Sequence, residues 1–168
     1  MNKEETRKYA LSIRNKLANE SINNKIVNGL EEAIKKYNRI GIYYPIGSEI
    51  NILNIIKKYP NKKFYLPITR DEISFIEYKL GDTLVDAKFK TKEPVGDITP
   101  RDMIECFIIP CVAISKTRQR LGYGKGYYDR YLNGYKGIKI GICYKNATNL
   151  DIELDDYDLK LDYVITGE

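Results

Sequence analysis

Residues 118–132 read RQRLGYGKGYYDRYL, in which three alternating glycines precede a segment that can form a helix. Glycine reaches positive φ and lets the backbone approach a ligand, so successive N–H groups can face one anion. A helix beginning near Gly126 would add unpaired N–H groups of its own. Four basic residues lie within thirteen positions, 118–130, and Lys125 and Arg120 are expected to supply mobile positive charge. The GxGxG spacing matches neither the dinucleotide fingerprint nor the phosphate loop, so a plain tight turn stays an alternative to a polyphosphate site.

Strands and helices alternate on both sides of this stretch. Nearly continuous apolar residues at 106–109 and 138–144 are typical of strands buried on both faces. The alternation predicts an α/β fold with a mostly parallel sheet and helices on both faces, in which ligands bind beyond the carboxyl ends of the strands. The predicted strands are 39–44, 63–66, 73–78, 106–109, 138–144 and 163–166; the predicted helices are 2–18, 21–37 with Ser21 as N-cap, 49–59 and 126–133; residues 80–101 are predicted to be irregular.

Length and composition limit the class of protein. A chain of 168 residues, 43% hydrophobic and 30% charged, predicts a single folded domain over 1–168. No run of eighteen apolar residues and no apolar signal core near the N-terminus are present, so we expect a cytoplasmic protein without a membrane span. The net charge of +5 fits an anionic small molecule about as well as nucleic acid, for which a clearer basic stripe would be expected.

The absence of histidine restricts the chemistry. It excludes Ser-His-Asp and Cys-His nucleophilic systems and makes a zinc site improbable. The three cysteines have no CxxC spacing and lie in apolar segments, so we interpret them as packed thiols. Lys3, Arg7 and Arg14 share one stripe of the first predicted helix, which we interpret as a solvated basic face.

Residues 120–132, RLGYGKGYYDRYL, resemble the signature of the 5-formyltetrahydrofolate cyclo-ligases, also called 5,10-methenyltetrahydrofolate synthetases. The resemblance covers essentially the whole chain, because other short motifs occur in the family's order and at compatible spacing. These are Lys3-x-x-x-Arg7, YPIGSEI at 44–50, Leu66-Pro67, Glu93-Pro94, IIP at 108–110 and LDYVI at 161–165.

The resemblance implies a three-layer Rossmann-like fold and a defined reaction. In that reaction 5-formyltetrahydrofolate is cyclised to 5,10-methenyltetrahydrofolate with ATP and Mg²⁺, through a phosphorylated formyl (iminium phosphate) intermediate, and ADP and phosphate are released. It further implies small-molecule substrates, no nucleic-acid or membrane partner, and a monomer or weak homodimer. A paralogue that uses the same ATP site on another formamide or pterin, and a non-catalytic anion- or nucleic-acid-binding module, remain alternatives.

Family roles can be carried over to positions of this sequence. The resemblance implies that Asp129 and Asp162 hold magnesium and that Tyr44 and Glu49 contact folate. Phosphoryl transfer requires alignment and charge neutralisation, for which Lys125 and Arg120 are the expected catalytic residues. The implied ATP contacts are Lys3, Arg7, Arg120, Leu121, Gly122, Tyr123, Gly124, Lys125, Gly126, Tyr127 and Tyr128.

Several of these residues also have an ordinary structural interpretation. Asp129 and Glu49 could be carboxylates in the first turn of a helix, favoured there by the helix dipole. Asp162 could be a turn residue before a strand, and Tyr44 a core residue. Tyr127 and Tyr128 could anchor the short helix instead of contacting nucleotide.

Two positions depart from the family pattern. Cys111 stands where the family usually has glycine after the strand-ending proline, and Arg118 stands where glycine often precedes the RLG motif. Cys111 would change how closely the backbone approaches a ligand, and the Arg118 side chain could contact phosphate or point into water. The RLGxGKGYYD core is unaffected by both changes.

Overall fold

The computed structural model describes residues 1–167, which form four α-helices, eleven β-strands and three short 3-10 turns. The helices are α1 (Lys3–Leu17), α2 (Glu20–Ile34), α3 (Asn54–Lys58) and α4 (Tyr127–Tyr131). The strands are β1 (Arg39–Gly41), β2 (Lys63–Thr69), β3 (Ile73–Tyr78), β4 (Leu84–Asp86), β5 (Lys92–Pro94), β6 (Ile98–Thr99), β7 (Cys106–Pro110), β8 (Ala113–Ile114), β9 (Arg120–Leu121), β10 (Ile138–Tyr144) and β11 (Tyr163–Gly167).

The first two helices begin at asparagine caps. The Asn2 side chain accepts a hydrogen bond from the Glu5 N–H at 2.8 Å, and the Glu5 carboxylate accepts one from the Asn2 N–H, which completes a capping box. Asn19 caps α2 by accepting from the Ile22 N–H at 2.9 Å. The predicted cap at Ser21 is therefore wrong: the helix is capped two residues earlier, by the Asn19 side chain, which accepts from the Ile22 N–H.

Seven strands form one sheet in the order β11-β10-β7-β1-β2-β3-β6. The pairings β11 with β10, β10 with β7, β7 with β1 and β1 with β2 are parallel. The pairings β2 with β3 and β3 with β6 are antiparallel and form one end of the sheet. The prediction of a mostly parallel α/β sheet is confirmed.

Both faces of the sheet are covered. Cys106 and Ile108 of β7 belong to one hydrophobic core with α2 and α3, whereas Phe107 and Ile109 belong to a second core with α1 and α4. This alternation follows from the period of two residues along a strand. The arrangement of helix layer, sheet and helix layer is the one that the family resemblance implies.

Several predicted elements have different bounds, and strand 39–44 is limited to β1, Arg39–Gly41. Strand 63–66 extends through Pro67 to Thr69 because residues 64–69 all pair with β3. The region 80–101 is not irregular throughout, since β4 and β5 pair in an antiparallel hairpin and β6 joins the main sheet. The last predicted helix, 126–133, is limited to the five residues of α4.

The predicted helix 49–59 is reduced to α3, Asn54–Lys58. In the residues before α3, side chains accept hydrogen bonds from backbone N–H groups, and these bonds replace the regular hydrogen bonds of a helix. The Glu49 carboxylate accepts from the Ile46 N–H at 2.7 Å, and the Asn51 side chain accepts from the Leu53 N–H at 2.9 Å. Residues 45–53 therefore form a loop after β1 with its own hydrogen bonds.

The helices of the fold are shorter than a membrane span requires. The longest, α1 and α2, each have 15 residues. Within residues 1–167, no helix combines the length and the apolar character that crossing a bilayer requires.

Gly41 in β1 is required by the close packing of its neighbour strand. A Cβ atom at this position would lie 2.3 Å from the Cδ1 atom of Phe107, whose ring is fully buried. We therefore expect Gly41→Ala to lower the free energy of unfolding by roughly 1 to 3 kcal/mol, as overpacking of a core does. Chemical denaturation of the purified protein measures this change.

The matched control is Gly41→Ala combined with Phe107→Leu. The smaller side chain gives the new methyl group space, so the double variant should lose less stability than the sum of the two single changes. Strict additivity would contradict the packing argument.

Candidate active site

The carboxyl ends of the parallel strands meet at one edge of the sheet. The loop 45–53 follows β1 there, and the glycine-rich stretch follows β7 after the short β8–β9 hairpin. Tyr144, the last residue of β10, donates a hydrogen bond from its hydroxyl to the Ser48 carbonyl at 3.2 Å. The two predicted binding segments thus lie at the edge where ligands of parallel sheets bind.

Arg120 is the fixed centre of the glycine-rich stretch. Its guanidinium donates from Nε to the Pro110 carbonyl at 2.8 Å and lies over the Tyr128 ring, 4.8 Å from the centroid. A Cβ atom on Gly122 would come within 2.5 Å of the guanidinium Nη1, so only glycine fits there. The mobile countercharge predicted at Arg120 is corrected: the side chain is buried, 7% exposed, and held on several sides.

The remaining glycines shape the loop. Gly124 and Gly126 have φ values of +104° and +70°, which side chains rarely adopt. Arg7 donates from Nε to the Gly122 carbonyl at 2.7 Å, and Arg130 donates from Nη1 to the Lys125 carbonyl at 2.8 Å. Two carbonyls of the loop are thereby turned toward arginines.

Lys125 projects from the tip of this loop. Its side chain is exposed, and among residues 1–167 its ammonium group makes no hydrogen bond or ion pair with the protein. It is therefore a cation that an incoming anion can engage without displacing a protein partner.

Lys3, in contrast, is engaged by an acidic segment. Its ammonium lies 2.8 Å from an Asp155 carboxylate oxygen and 2.9 Å from one of Asp158. Partial burial acts to lower the pKa of Lys3, but the hydrogen bonds and charges of the two carboxylates outweigh burial and raise this pKa above its ordinary value. A phosphate that binds Lys3 has to compete with these two aspartates.

Three other predicted nucleotide contacts differ in their exposure. Leu121 and Tyr128 are buried in the core, and burial raises the pKa of the Tyr128 hydroxyl well above its usual range. The Tyr127 hydroxyl donates to the Arg70 carbonyl at 3.2 Å, which ties the start of α4 to the β2–β3 turn.

The two predicted folate contacts lie at the end of β1. Tyr44 is half-buried and packs against the core that contains α2. Glu49 is half-buried, and burial raises the pKa of its carboxyl above the ordinary value, although the Ile46 N–H and the charges of Arg14 and Arg120 act in the opposite direction. Glu49 and Arg14 line the same small cavity.

The two predicted magnesium ligands both accept backbone hydrogen bonds. Asp129 accepts from the Leu159 N–H at 2.9 Å, and Asp162 accepts from the Lys139 N–H at 2.8 Å. Each bond involves one oxygen of the carboxylate. No cluster of three or more His, Cys, Asp or Glu side chains able to hold a metal ion occurs in the described part of the chain, 1–167.

The two departures from the family pattern have clear structural settings. Arg118 has φ +62°, a left-handed conformation that explains why glycine suits this position, and its Nη1 donates to the Asp162 carbonyl at 3.1 Å. Cys111 is buried, and burial raises the pKa of its thiol to about 11. Cys106, Cys111 and Cys143 are free and buried, as predicted for packed thiols.

The burial of two charged residues, Arg14 and Glu93, was not predicted from the sequence. Arg14 was interpreted as part of a solvated basic face, but it is only 6% exposed and contacts both binding loops. The available signal in the sequence was its position seven residues after Arg7, which places both arginines on the same face of α1. Glu93 is 4% exposed and accepts hydrogen bonds from the Thr69 N–H and from Arg70, both at 2.8 Å. Nothing in the local pattern of 80–101 separates this buried carboxylate from solvated ones.

Comparison with known proteins agrees with this architecture. Solved structures of similar fold include 5,10-methenyltetrahydrofolate synthetases from Aquifex aeolicus and Mycoplasma pneumoniae. The first has a TM-score of 0.86 and 30% identity, and the match covers 98% of this chain and 89% of the other. The second has a TM-score of 0.81 and 30% identity, with both chains covered completely.

Curated relatives carry the same activity in their names. A 5-formyltetrahydrofolate cyclo-ligase of Mycoplasma genitalium is 36% identical over 62% of this chain and 71% of the relative. One of Mycoplasma pneumoniae is 33% identical over 77% of this chain and 73% of the relative. The family model for 5-formyltetrahydrofolate cyclo-ligases matches residues 2–167. The resemblance stated from the motifs is thus confirmed, and this chain belongs to the 5-formyltetrahydrofolate cyclo-ligase family.

Proposed function

We propose that this protein catalyses the ATP-dependent cyclisation of 5-formyltetrahydrofolate to 5,10-methenyltetrahydrofolate, with release of ADP and phosphate. Family membership supports the activity. The structural observation that supports it most is that the glycine-rich loop and the Glu49 loop lie beside each other. Arg14 donates a hydrogen bond to Tyr123 of the first loop and one to Ser48 of the second. A nucleotide on one loop and a folate on the other would then have their reacting groups close together.

The reaction needs an activated oxygen. The formyl oxygen on the N5 atom of the folate is a poor leaving group, so transfer of the γ-phosphoryl group from ATP to this oxygen would give an iminium phosphate and ADP. The N10 nitrogen then attacks the iminium carbon and loses its proton to solvent, the C–O bond breaks, and phosphate leaves with that oxygen. Phosphoryl transfer depends on alignment and charge neutralisation more than on a strong base, which suits a chain without histidine.

Each predicted residue can be given a role in this reaction. Lys125, exposed at the loop tip, would contact the terminal phosphates and neutralise charge that develops during transfer. Arg7 and Arg120 would act mainly by holding the loop, through the Gly122 and Pro110 carbonyls. Lys3 would bind the nucleotide once a phosphate group displaces its two aspartate partners. Glu49 would accept hydrogen bonds from the amino-pyrimidine edge of the pterin.

Magnesium is proposed as part of the same site. Asp129 and Asp162 supply hard oxygen donors, and each has one carboxylate oxygen that accepts a backbone N–H, which leaves the other oxygen for an ion. Mg²⁺ commonly takes only one or two carboxylates and completes its shell with water and phosphate oxygens. Asp129, on the helix that follows the glycine-rich loop, therefore fits such an ion, which would neutralise charge on the nucleotide phosphates. Asp162 lies beside Lys139 at the amino ends of β10 and β11, so it does not share the strand edge that carries the loop.

The setting in the cell is part of the proposal. We expect small-molecule substrates, no nucleic-acid partner, a cytoplasmic location, and a monomer or a weak homodimer. The modest net charge of +5 supports anionic small molecules as ligands.

A direct assay tests the function. The purified protein mixed with 5-formyltetrahydrofolate, ATP and MgCl₂ should form a product with the absorbance of 5,10-methenyltetrahydrofolate and an equal amount of ADP. Lys125→Ala should lower kcat by about a hundredfold or more, because a cation at the transferring phosphoryl group is lost. Lys116→Ala, which removes an exposed lysine nine positions earlier, is the control and should keep full activity. No methenyl product from the unaltered protein would refute the proposed activity, and full activity in Lys125→Ala would remove this lysine from the site.

Asp129→Asn tests the metal assignment. Asparagine keeps an oxygen that can accept from the Leu159 N–H, so the fold should persist while the negative charge is lost. We expect the Mg²⁺ concentration for half-maximal rate to rise at least about tenfold. Titration of the rate with MgCl₂ measures it, with the exposed Asp156→Asn as control. An unchanged magnesium requirement would leave Asp129 with a purely structural role.

The variant Glu49→Gln tests separately how Glu49 affects folate binding and how it affects the stability of the fold. Because the folded-state pKa of Glu49 lies above its ordinary value, folding disfavours the ionised form, and this lowers stability at pH above the unfolded pKa of about 4.3. Glutamine removes this effect and can still accept from Ile46. We expect Glu49→Gln to be more stable than the parent at pH 7 but not near pH 4, and to bind 5-formyltetrahydrofolate about tenfold more weakly.

Denaturant midpoints at the two pH values and calorimetric titration with the folate measure these two effects. Lower stability at pH 7 would show that Glu49 mainly supports the fold. Unchanged folate affinity would place the pterin elsewhere.

A further inference from the structure

We propose that Arg14 is a positioning residue that couples the nucleotide loop to the folate loop, an inference that rests on the proposed function for the identity of the two ligands. None of the family motifs in this chain includes Arg14. It lies on α1 and reaches, with one guanidinium group, both segments that the reaction requires.

Arg14 contacts the glycine-rich loop through Tyr123. Its Nη2 donates a hydrogen bond to the Tyr123 hydroxyl, and the guanidinium lies over the Tyr123 ring, 5.5 Å from the centroid. Tyr123 stands between Gly122 and Gly124. A change in the position of this loop therefore acts on the Arg14 side chain.

On its other side Arg14 contacts the loop after β1. Its Nε donates to the Ser48 hydroxyl at 2.9 Å, and that hydroxyl donates in turn to the Asn15 side-chain oxygen at 2.5 Å. Ser48 immediately precedes Glu49, whose N–H donates to the Ile46 carbonyl at 3.1 Å within the same turn. The position of Arg14 thus determines where the turn presents the Glu49 carboxylate.

The burial of Arg14 requires an explanation that packing alone does not give. Its residue is 6% exposed, and in residues 1–167 no carboxylate lies within ion-pair distance of it. Burying a charge without a counter-ion is unfavourable, so a neutral side chain would serve a purely structural contact better. The Arg14 charge instead acts on the Glu49 carboxylate and counteracts the rise in its pKa.

These contacts predict cooperative binding. A nucleotide that orders residues 122–126 would fix Tyr123, and through Arg14 it would fix Ser48 and Glu49 before the folate arrives. The first ligand would then bear the entropy cost of ordering the second loop, and the second ligand would not bear it again. Each ligand should accordingly raise the affinity for the other by the same factor.

The first experiment needs no ligand. Tyr123→Phe keeps the ring but removes the hydroxyl that Arg14 contacts, on a side chain that is 45% exposed. Hydrogen exchange should show the Glu49 amide exchanging about tenfold faster than in the parent, as expected for losing one hydrogen bond to a charged group. Lys16→Gln, an exposed change on the same helix, is the control and should leave this amide unchanged. An unaltered Glu49 amide in Tyr123→Phe would overturn the proposal.

The second experiment measures the coupling itself. A non-hydrolysable ATP analogue and 5-formyltetrahydrofolate are titrated separately and together. In the parent, the analogue should raise folate affinity by about fivefold or more, and in Arg14→Gln and in Tyr123→Phe this factor should fall to near one. Arg14→Lys keeps the charge but cannot contact both hydroxyls at once, so it should also lose the coupling. Full coupling in all three variants would overturn the proposal.

The two experiments separate this proposal from the proposed function. If the protein forms no methenyl product but Tyr123→Phe still accelerates exchange at Glu49, the link through Arg14 holds and the reaction is wrong. If product forms normally while exchange and coupling are unaffected by Tyr123→Phe, the reaction holds and the role of Arg14 is wrong.

Discussion

The buried guanidinium group of Arg120 constrains the whole glycine-rich loop. Its hydrogen bond to the Pro110 carbonyl fixes it at the end of a central strand, and the Tyr128 ring supports it from the side of α4. Gly122 has to pass so near this group that no side chain fits. The loop is therefore shaped by a cation beneath it, and the loop in turn presents Lys125 to solvent. An arginine that the sequence suggests as a ligand contact is thus, in the structure, a support for the loop.

The layered sheet could be predicted from the sequence because its signals are local. Apolar runs such as 106–109 and 138–144 and the helical spacing along α2 each depend on neighbouring residues. The burial of Arg14 and Arg120 could not be predicted in this way, because it depends on carbonyls and hydroxyls from segments far along the chain. The same holds for loop 45–53, where side-chain hydrogen bonds replace a helix that the apolar spacing alone favours. The motif resemblance identified the family, but it did not show which motif residues support the loop.

Two lysines of the candidate site differ in their charge partners before any substrate enters. Lys3 is bound by Asp155 and Asp158, whereas Lys125 has no protein partner within the part of the chain that the structure describes. An incoming phosphate can therefore bind Lys125 directly, whereas it has to displace two aspartates to bind Lys3. Arg118 holds the Asp162 carbonyl near the start of β11, with a left-handed backbone that glycine would adopt more easily.

The position of β11 affects the order in which the molecule can assemble. Within residues 1–167 this edge strand pairs only with β10 in the sheet, and it packs against α2, where Gly29 approaches Ile165. Helix α2 lies far before β11 in the chain, so part of its apolar face stays uncovered until residues 163–167 are in place. Closure of the sheet is consequently a late step with a large separation along the chain, which slows folding and prolongs the exposure of apolar surface to chaperones.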